Sequence, residues 1–93
     1  NLQSYFSNFT QAVGTAKFEN KKIKELVVDL PIDYYGRAET IGITQYVTEQ
    51  ADKYFKDIDE YEIHIKDGNS SKALISKSKD DDEPQVHIYK NSN

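Results

Sequence analysis

The chain has 93 residues, a mass of 10.7 kDa and a formal net charge of −4, which is the size of one small domain. Leu, Ile, Val and Phe account for 22 of the 93 residues, a fraction just above the ~20% below which disorder becomes the expected state, so we expect residues 1–93 to form a single folded domain with a small core. The absence of cysteine excludes disulfides, thiolate nucleophiles and cysteine-ligated zinc.

The first predicted element is an amphipathic helix over residues 1–14. Its apolar side chains share one helical face: Leu2, Tyr5, Phe6, Phe9 and Val13. Gly14 follows at a position where helices commonly end. The stripe favours packing on the core of the same domain, but it also suits a partner protein or a second copy of the chain. A homodimer through Tyr5, Phe6 and Phe9 is therefore one hypothesis.

A strand or hairpin is predicted over residues 16–32. The polar residues 20–22 interrupt the apolar pattern as a turn would. From residue 23 to residue 30 the chain alternates, so that Leu26, Val28 and Leu30 are expected on one side of a strand. Pro31 should close this strand, because proline has no N–H group to donate to a neighbouring strand.

A second helix is predicted over residues 37–56. Its apolar and aromatic side chains recur at helical spacing: Ile43, Tyr46, Val47, Ala51, Tyr54 and Phe55. Two acid-before-base pairs four residues apart, Glu49–Lys53 and Asp52–Lys56, are expected to stabilise it by a few tenths of a kcal/mol each. Several β-branched residues and a glycine weaken the helix propensity of its first turns.

Residues 60–90 predict a three-stranded antiparallel segment. Alternating side chains run from Tyr61 to Ile65, through residues 72–78 and again from Val86 to Tyr89, and the sequence Asp-Gly-Asn at 67–69 is a hairpin turn signal. The complete order is α-β(β)-α-β-β-β. We therefore predict an α+β fold in which one main helix packs on a mostly antiparallel sheet of about four strands.

The sequence contains no arrangement typical of a catalytic site. It has no cysteine and no Gly-x-Ser-x-Gly element, so we expect no catalytic residue and no cofactor. His64 and His87 are the only histidines, and each lies on the polar side of its predicted strand. A metal site that joins them with Glu62 is one interpretation. Two solvated surface histidines are the interpretation that we favour, so we expect no metal.

Two segments are candidate binding sites. Residues 34–37 bring two adjacent tyrosines and the only arginine of the chain to the start of a helix, and both residue types are enriched at protein-binding hot spots. Residues 80–83 form a run of four acidic side chains. The run is typical of a solvated loop, and it would also suit contact with a basic partner protein. The candidate binding residues are Tyr34, Tyr35, Arg37, Asp80, Asp81 and Asp82.

These observations favour a non-enzymatic binding or accessory module with a protein partner. The acidic balance argues against nucleic acid, and no apolar run is long enough for direct membrane insertion. The chain begins at Asn1 and contains no methionine, so we expect a processed or truncated product. Our leading hypothesis is the extracytoplasmic or cell-surface domain of a bacterial lipoprotein or membrane-anchored protein. The alternative is a small acidic phage or mobile-element inhibitor in the cytoplasm that docks on a nucleic-acid-binding protein.

Overall fold

The computed structural model describes residues 12–32, 37–68 and 70–89. Within these ranges the chain forms five strands and one helix: β1 (Val13–Glu19), β2 (Lys22–Pro31), α1 (Arg37–Tyr54), β3 (Glu60–Asp67), β4 (Ser70–Lys77) and β5 (Gln85–Ile88). The helix packs on one face of the sheet. The α+β class with one main helix is confirmed, and the sheet has five strands where the sequence predicted about four.

The five strands lie side by side in chain order. Three of the four neighbouring pairs are antiparallel, and β2 and β3 are parallel. Parallel neighbours need a long crossover connection, and α1 supplies it between β2 and β3. The sheet is therefore mixed, with antiparallel pairs in the majority.

The start of β1 corrects the predicted end of the N-terminal helix. Val13 and Gly14 pair with residues of β2, so Val13 does not continue a helical stripe and Gly14 does not end a helix. Pairing with the long β2 places both residues in the sheet instead, where alternate residues of β1 exchange N–H and C=O bonds with β2. The rest of that predicted helix, including Tyr5, Phe6 and Phe9, lies outside the described residues.

The turn between β1 and β2 is formed by Asn20 and Lys21. Both have positive φ angles, 55° and 69°, which is the backbone conformation of a two-residue type I′ hairpin loop. Asparagine tolerates this left-handed conformation, whereas lysine adopts it at a cost. The hairpin therefore forms although its second turn residue is unfavourable, because the flanking strands pair along their length.

Pro31 ends β2 where its missing N–H group does no harm. The backbone N–H of Ile32 donates to the carbonyl of Lys66 at 2.8 Å. Because successive N–H groups of a strand point to opposite sides, the nitrogen of Pro31 faces away from β3 and towards the β1 side. On that side the pairing of β1 with β2 begins only at Val13 and Asp29, so no described residue of β1 pairs with Pro31.

The core lies between α1 and one face of the sheet. The strands contribute an alternating set of buried apolar residues: Leu26, Val28, Leu30, Tyr61, Ile63, Ile65, Ala73 and Ile75. From the helix side the buried residues are Thr40, Thr44, Val47 and Ala51, followed by Phe55 just after α1 ends. Alternation along each strand thus turns a chain with few apolar residues into one continuous buried layer.

The buried face of α1 is rotated relative to the predicted one. Tyr46 and Tyr54 are 47% and 42% exposed, whereas Thr44 is only 1% exposed. The hydroxyl of Thr44 donates to the carbonyl of Thr40 at 2.7 Å, and that of Thr48 donates to the carbonyl of Thr44 at 2.7 Å. These bonds satisfy the hydroxyl groups within the helix, so threonine can face the core without an unpaired polar atom.

Candidate binding surfaces

The two histidines lie on the face of the sheet opposite α1, but β4 separates them. His64 pairs with Leu74 across β3 and β4, and Leu74 pairs with His87 across β4 and β5. Two strand spacings of ~4.8 Å put their Cα atoms about 10 Å apart. His64 Nε2 lies 3.0 Å from Glu62 Oε1, and the ring of His87 contacts that of Tyr89 edge-on, with centroids 4.6 Å apart. The histidines therefore do not converge on one site.

Charged pairs occupy much of this open face. Lys17 lies 3.4 Å from Glu25 and Lys66 lies 3.7 Å from Asp29. Exposed pairs of this kind stabilise a fold by ~1 kcal/mol at most. No group of three or more His, Asp or Glu side chains within residues 12–32, 37–68 and 70–89 is arranged to hold a metal ion.

The three aspartates predicted as binding residues lie in the acidic loop between β4 and β5, where their surroundings differ. Asp81 accepts a hydrogen bond from the backbone N–H of Ser78 through Oδ2 at 2.9 Å, and its own N–H donates to the carbonyl of Ser78 at 3.0 Å. Its carboxylate therefore holds the turn. Asp80 and Asp82 are exposed and present their charge to solvent. A binding role for these residues stays a prediction.

The tyrosine–arginine segment falls mostly outside the described residues. Tyr34 and Tyr35 lie between the described ranges 12–32 and 37–68. The helix α1 begins at Arg37, whose side chain is also outside the described part. The structure therefore places only the backbone of Arg37, at the first position of the helix. Binding through these three residues stays a prediction from the sequence.

A groove runs between α1 and β5 at one edge of the sheet. It has a volume of about 610 Å³, within the range of ligand sites in proteins. Its lining residues are Ile41, Thr44, Gln45, Thr48 and Glu49 of α1 and Val86 and Ile88 of β5. Because the two threonine hydroxyls are bonded to helix carbonyls, the side chains that face the groove are largely apolar, and Glu49 is the charged one.

Among the described residues, no strand pairs with the outer edge of β5, which lies beside this groove. The N–H of Tyr89 donates to the carbonyl of Lys72 at 3.0 Å, which makes these two residues a hydrogen-bonded antiparallel pair. Such pairs alternate along a ladder, so His87 is also bonded to β4, whereas the N–H and C=O groups of Val86 and Ile88 point outwards. The side chains of Val86 and Ile88 lie on the α1 side, since they pair with buried residues of β4.

Sequence reasoning missed this groove. The alternation of Val86 and Ile88 with polar neighbours assigned both residues to the apolar side of the last strand. It did not show that Val86 would remain 46% exposed, because that depends on how far α1 extends over the edge of the sheet. The only available signal was a short apolar strand at the end of the chain after a charged loop.

A polar atom inside the core is the hydroxyl group of Tyr61. The residue is 2% exposed, and its hydroxyl has no hydrogen-bond partner in the structure. Burial raises the pKa of Tyr61 to about 12, and the negative charge of Asp52 adds to the effect. The ring of Phe55 packs edge-on against that of Tyr61, with centroids 5.4 Å apart. Tyr61 is therefore a core residue that stays protonated at neutral pH.

Within residues 12–32, 37–68 and 70–89, no helix combines the length and the apolar character needed to cross a bilayer.

Comparison with known proteins identifies a family over most of the chain. The family model described as CamS sex pheromone cAM373 precursor matches residues 1–83. Among solved structures, the C-terminal domain of the sex pheromone staph-cAM373 precursor from Staphylococcus aureus is 71% identical with a TM-score of 0.88. That match covers 96% of this chain and 28% of the other. No curated protein matches the chain.

Two further solved structures share the fold. The sex pheromone precursor from Lactobacillus salivarius is 18% identical with a TM-score of 0.77, over 98% of this chain and 28% of that chain. A sex pheromone staph-cAM373 precursor is 25% identical with a TM-score of 0.72, over 95% of this chain and 31% of that chain. The chain thus spans less than a third of the length of each solved relative.

Proposed function

Because the chain belongs to the CamS sex pheromone cAM373 precursor family, we propose that it is a non-enzymatic binding or accessory domain outside the bacterial cytoplasm. The family match over residues 1–83 carries this proposal. A pheromone is a signal that acts on another cell, so a protein of a pheromone precursor family is expected on the export route. The organisms named for its solved relatives are bacteria.

The chemistry of the described residues supports a binding role over catalysis. The hydroxyls of Thr44 and Thr48 are bonded within α1, and the phenol of Tyr61 is buried with a raised pKa. His64 and His87, which would be the natural bases, lie on strands that β4 separates. Among the described residues, the threonine hydroxyls are thus bonded within the helix, the phenol is buried, and the partner of His64 is the carboxylate of Glu62 rather than a hydroxyl group.

The domain is proposed to be one part of a larger surface protein. The chain spans 28% of the Staphylococcus aureus chain that it resembles. A lipid or membrane anchor would then lie in a segment other than this domain. On this account the domain presents a folded surface outside the cell, and the anchor keeps it near the membrane.

Labelling of intact cells tests the location. The protein carries an epitope tag after Asn93 in its bacterial source, and the cells are treated with a membrane-impermeant amine-reactive biotin reagent that modifies exposed lysines. We expect equal biotinylation of the tagged protein in intact and in lysed cells, while a cytosolic control protein is labelled only after lysis. Labelling of the tagged protein only after lysis would overturn the extracytoplasmic assignment.

The alternative function is an inhibitor that docks on a nucleic-acid-binding protein. It requires the acidic side chains of the β4–β5 loop to imitate the phosphates of a nucleic acid. The geometry supports it less, because the carboxylate of Asp81 is engaged with Ser78 in a turn. It predicts that replacing Asp80, Asp81 and Asp82 together by asparagine abolishes capture of a nucleic-acid-binding partner. The surface-domain proposal predicts no such partner.

A further inference from the structure

The α1–β5 edge has two features that together define a ligand. The groove is lined mainly by apolar groups of Ile41, Thr44, Val86 and Ile88, with the polar side chains of Gln45 and Glu49 beside them. The outward N–H and C=O groups on the adjacent edge of β5 pair with no described strand. An extended peptide is the ligand that uses both, because its backbone pairs with a strand edge while alternate side chains fall on one face of the sheet. Neither a small apolar molecule nor a helix would satisfy the free backbone groups of β5.

The charge at the rim specifies the peptide further. Glu49 lines the groove and is exposed. Its predicted ion pair with Lys53 does not form. The ammonium group of Lys53 lies over the ring of Tyr54 instead, 5.1 Å from the ring centroid. No ion pair joins Glu49 to another residue of the described ranges. The loop that leads into β5 carries exposed Asp80, Asp82 and Glu83 against a single exposed Lys79, so its net charge is also negative. A basic residue in the ligand complements this surface.

A second copy of the chain fits the edge less well. Two β5 strands could pair about His87, but the strand Gln85–Ile88 contains no lysine or arginine to meet Glu49 of the other copy. The pairing would also involve only four residues from each copy. That is far below the ~20 residues per side of a standard stable interface. The small contact disfavours a stable dimer through this edge, and the lack of a basic residue in β5 to meet Glu49 favours a peptide of different sequence.

We propose that the α1–β5 groove and the free edge of β5 bind an extended segment of another protein, which adds to the sheet as a sixth strand. The segment pairs its backbone with Val86 and Ile88, places an apolar side chain in the groove and carries a lysine or arginine near Glu49. This inference rests on the proposed function, since it assigns the binding surface and the chemical class of partner to the proposed binding domain.

A designed peptide serves as the probe. It alternates valine and threonine between two terminal lysines and carries fluorescein, and its binding to the full 93-residue chain is followed by fluorescence anisotropy. We expect saturable binding that Val86→Lys weakens by about tenfold or more, equivalent to ~1.4 kcal/mol. The matched control is Gln85→Lys, which adds the same charge to the same strand but on the opposite face; it should change the affinity by less than about twofold.

Two further comparisons separate the charge from the backbone pairing. Glu49→Lys should weaken binding of the lysine probe and strengthen binding of a probe with glutamates in place of the lysines. A probe with N-methyl groups on the amides that face β5 should lose binding, because it cannot donate to the carbonyls of Val86 and Ile88. Far-ultraviolet circular dichroism of each variant verifies that it folds; Val86 is 46% exposed, so its replacement should not disturb the core.

Several outcomes would overturn the inference. They are the absence of probe binding, equal weakening by Val86→Lys and Gln85→Lys, and unaltered binding of the N-methylated probe. A wild-type dimer that Val86→Lys converts to a monomer, together with no peptide binding, would identify a second copy as the occupant and also overturn it. None of these results bears on the labelling of intact cells, so failure of the peptide site and failure of the extracytoplasmic assignment are distinguishable.

Discussion

Replacement of Tyr61 by phenylalanine tests the structure of the core. The Tyr61 hydroxyl is buried and has no hydrogen-bond partner in the structure. A buried polar group without a partner costs about 1–3 kcal/mol relative to one that is bonded. Tyr61→Phe removes that group and keeps the edge-on contact with Phe55. We therefore expect the free energy of unfolding to rise by about 1 kcal/mol at neutral pH.

The difference between wild type and Tyr61→Phe should grow in alkali. The folded-state pKa of Tyr61 is raised from 10.0 to about 12, so the unfolded chain loses this proton first. The free energy of unfolding of the wild type is therefore independent of this proton below about pH 10, and it falls as the pH rises from about 10 to about 12. At about pH 11 the loss amounts to ~1.4 kcal/mol in the wild type alone.

Urea unfolding followed by circular dichroism measures both effects. The matched control is Tyr46→Phe, because Tyr46 is 47% exposed on α1 and its hydroxyl is accessible to water; its effect should stay within ~0.5 kcal/mol at both pH values. A Tyr61→Phe protein that is less stable than wild type at neutral pH would refute the reasoning. Such a result would mean that the hydroxyl has a stabilising partner in solution.

Three further substitutions address the turn, the core and the acidic loop, each measured by the same unfolding assay. Lys21→Gly should stabilise the protein by about 0.5–1 kcal/mol, because glycine adopts the positive φ of 69° without strain; a loss of stability would contradict the assigned turn. Ile63→Ala should destabilise it by about 3 kcal/mol, since Ile63 is fully buried, and a change below ~1 kcal/mol would place Ile63 outside a packed core. Asp81→Ala should destabilise it by about 1 kcal/mol through loss of the bond from Ser78, whereas the exposed Asp80→Ala should have almost no effect; equal effects would argue against the turn.

Local patterns in the sequence predicted most of the elements. Alternation identified the residues of β2, because a strand with one buried face must repeat every two residues. Helical spacing located α1 to within two residues of its observed end at Tyr54, despite its β-branched residues. The buried face of α1 was misplaced because hydrogen bonds from Thr44 and Thr48 to helix carbonyls are not visible in a hydrophobicity pattern.

Long-range relationships could not be predicted in the same way. Alternation shows which face of a strand is buried, but not which strand lies beside it, so the parallel pairing of β2 with β3 was not anticipated. For the same reason the sequence could not show whether His64 and His87 lie close enough to share a metal ion. The strand order answers this question, because β4 lies between their strands. The groove was missed for a related reason, since exposure of Val86 depends on the position of α1 over the sheet edge.

Amide hydrogen exchange at Val86 and Ile88 tests the proposed binding surface most directly. In the free protein both N–H groups point away from β4 and should exchange rapidly, whereas the N–H of His87 is bonded within the sheet and should be protected. Addition of the lysine-terminated peptide is predicted to protect Val86 and Ile88 and to leave amide exchange in β1, at the other end of the described strand order, unchanged. Unaltered exchange at both residues in the presence of saturating peptide, or protection of β1 instead, would contradict the account.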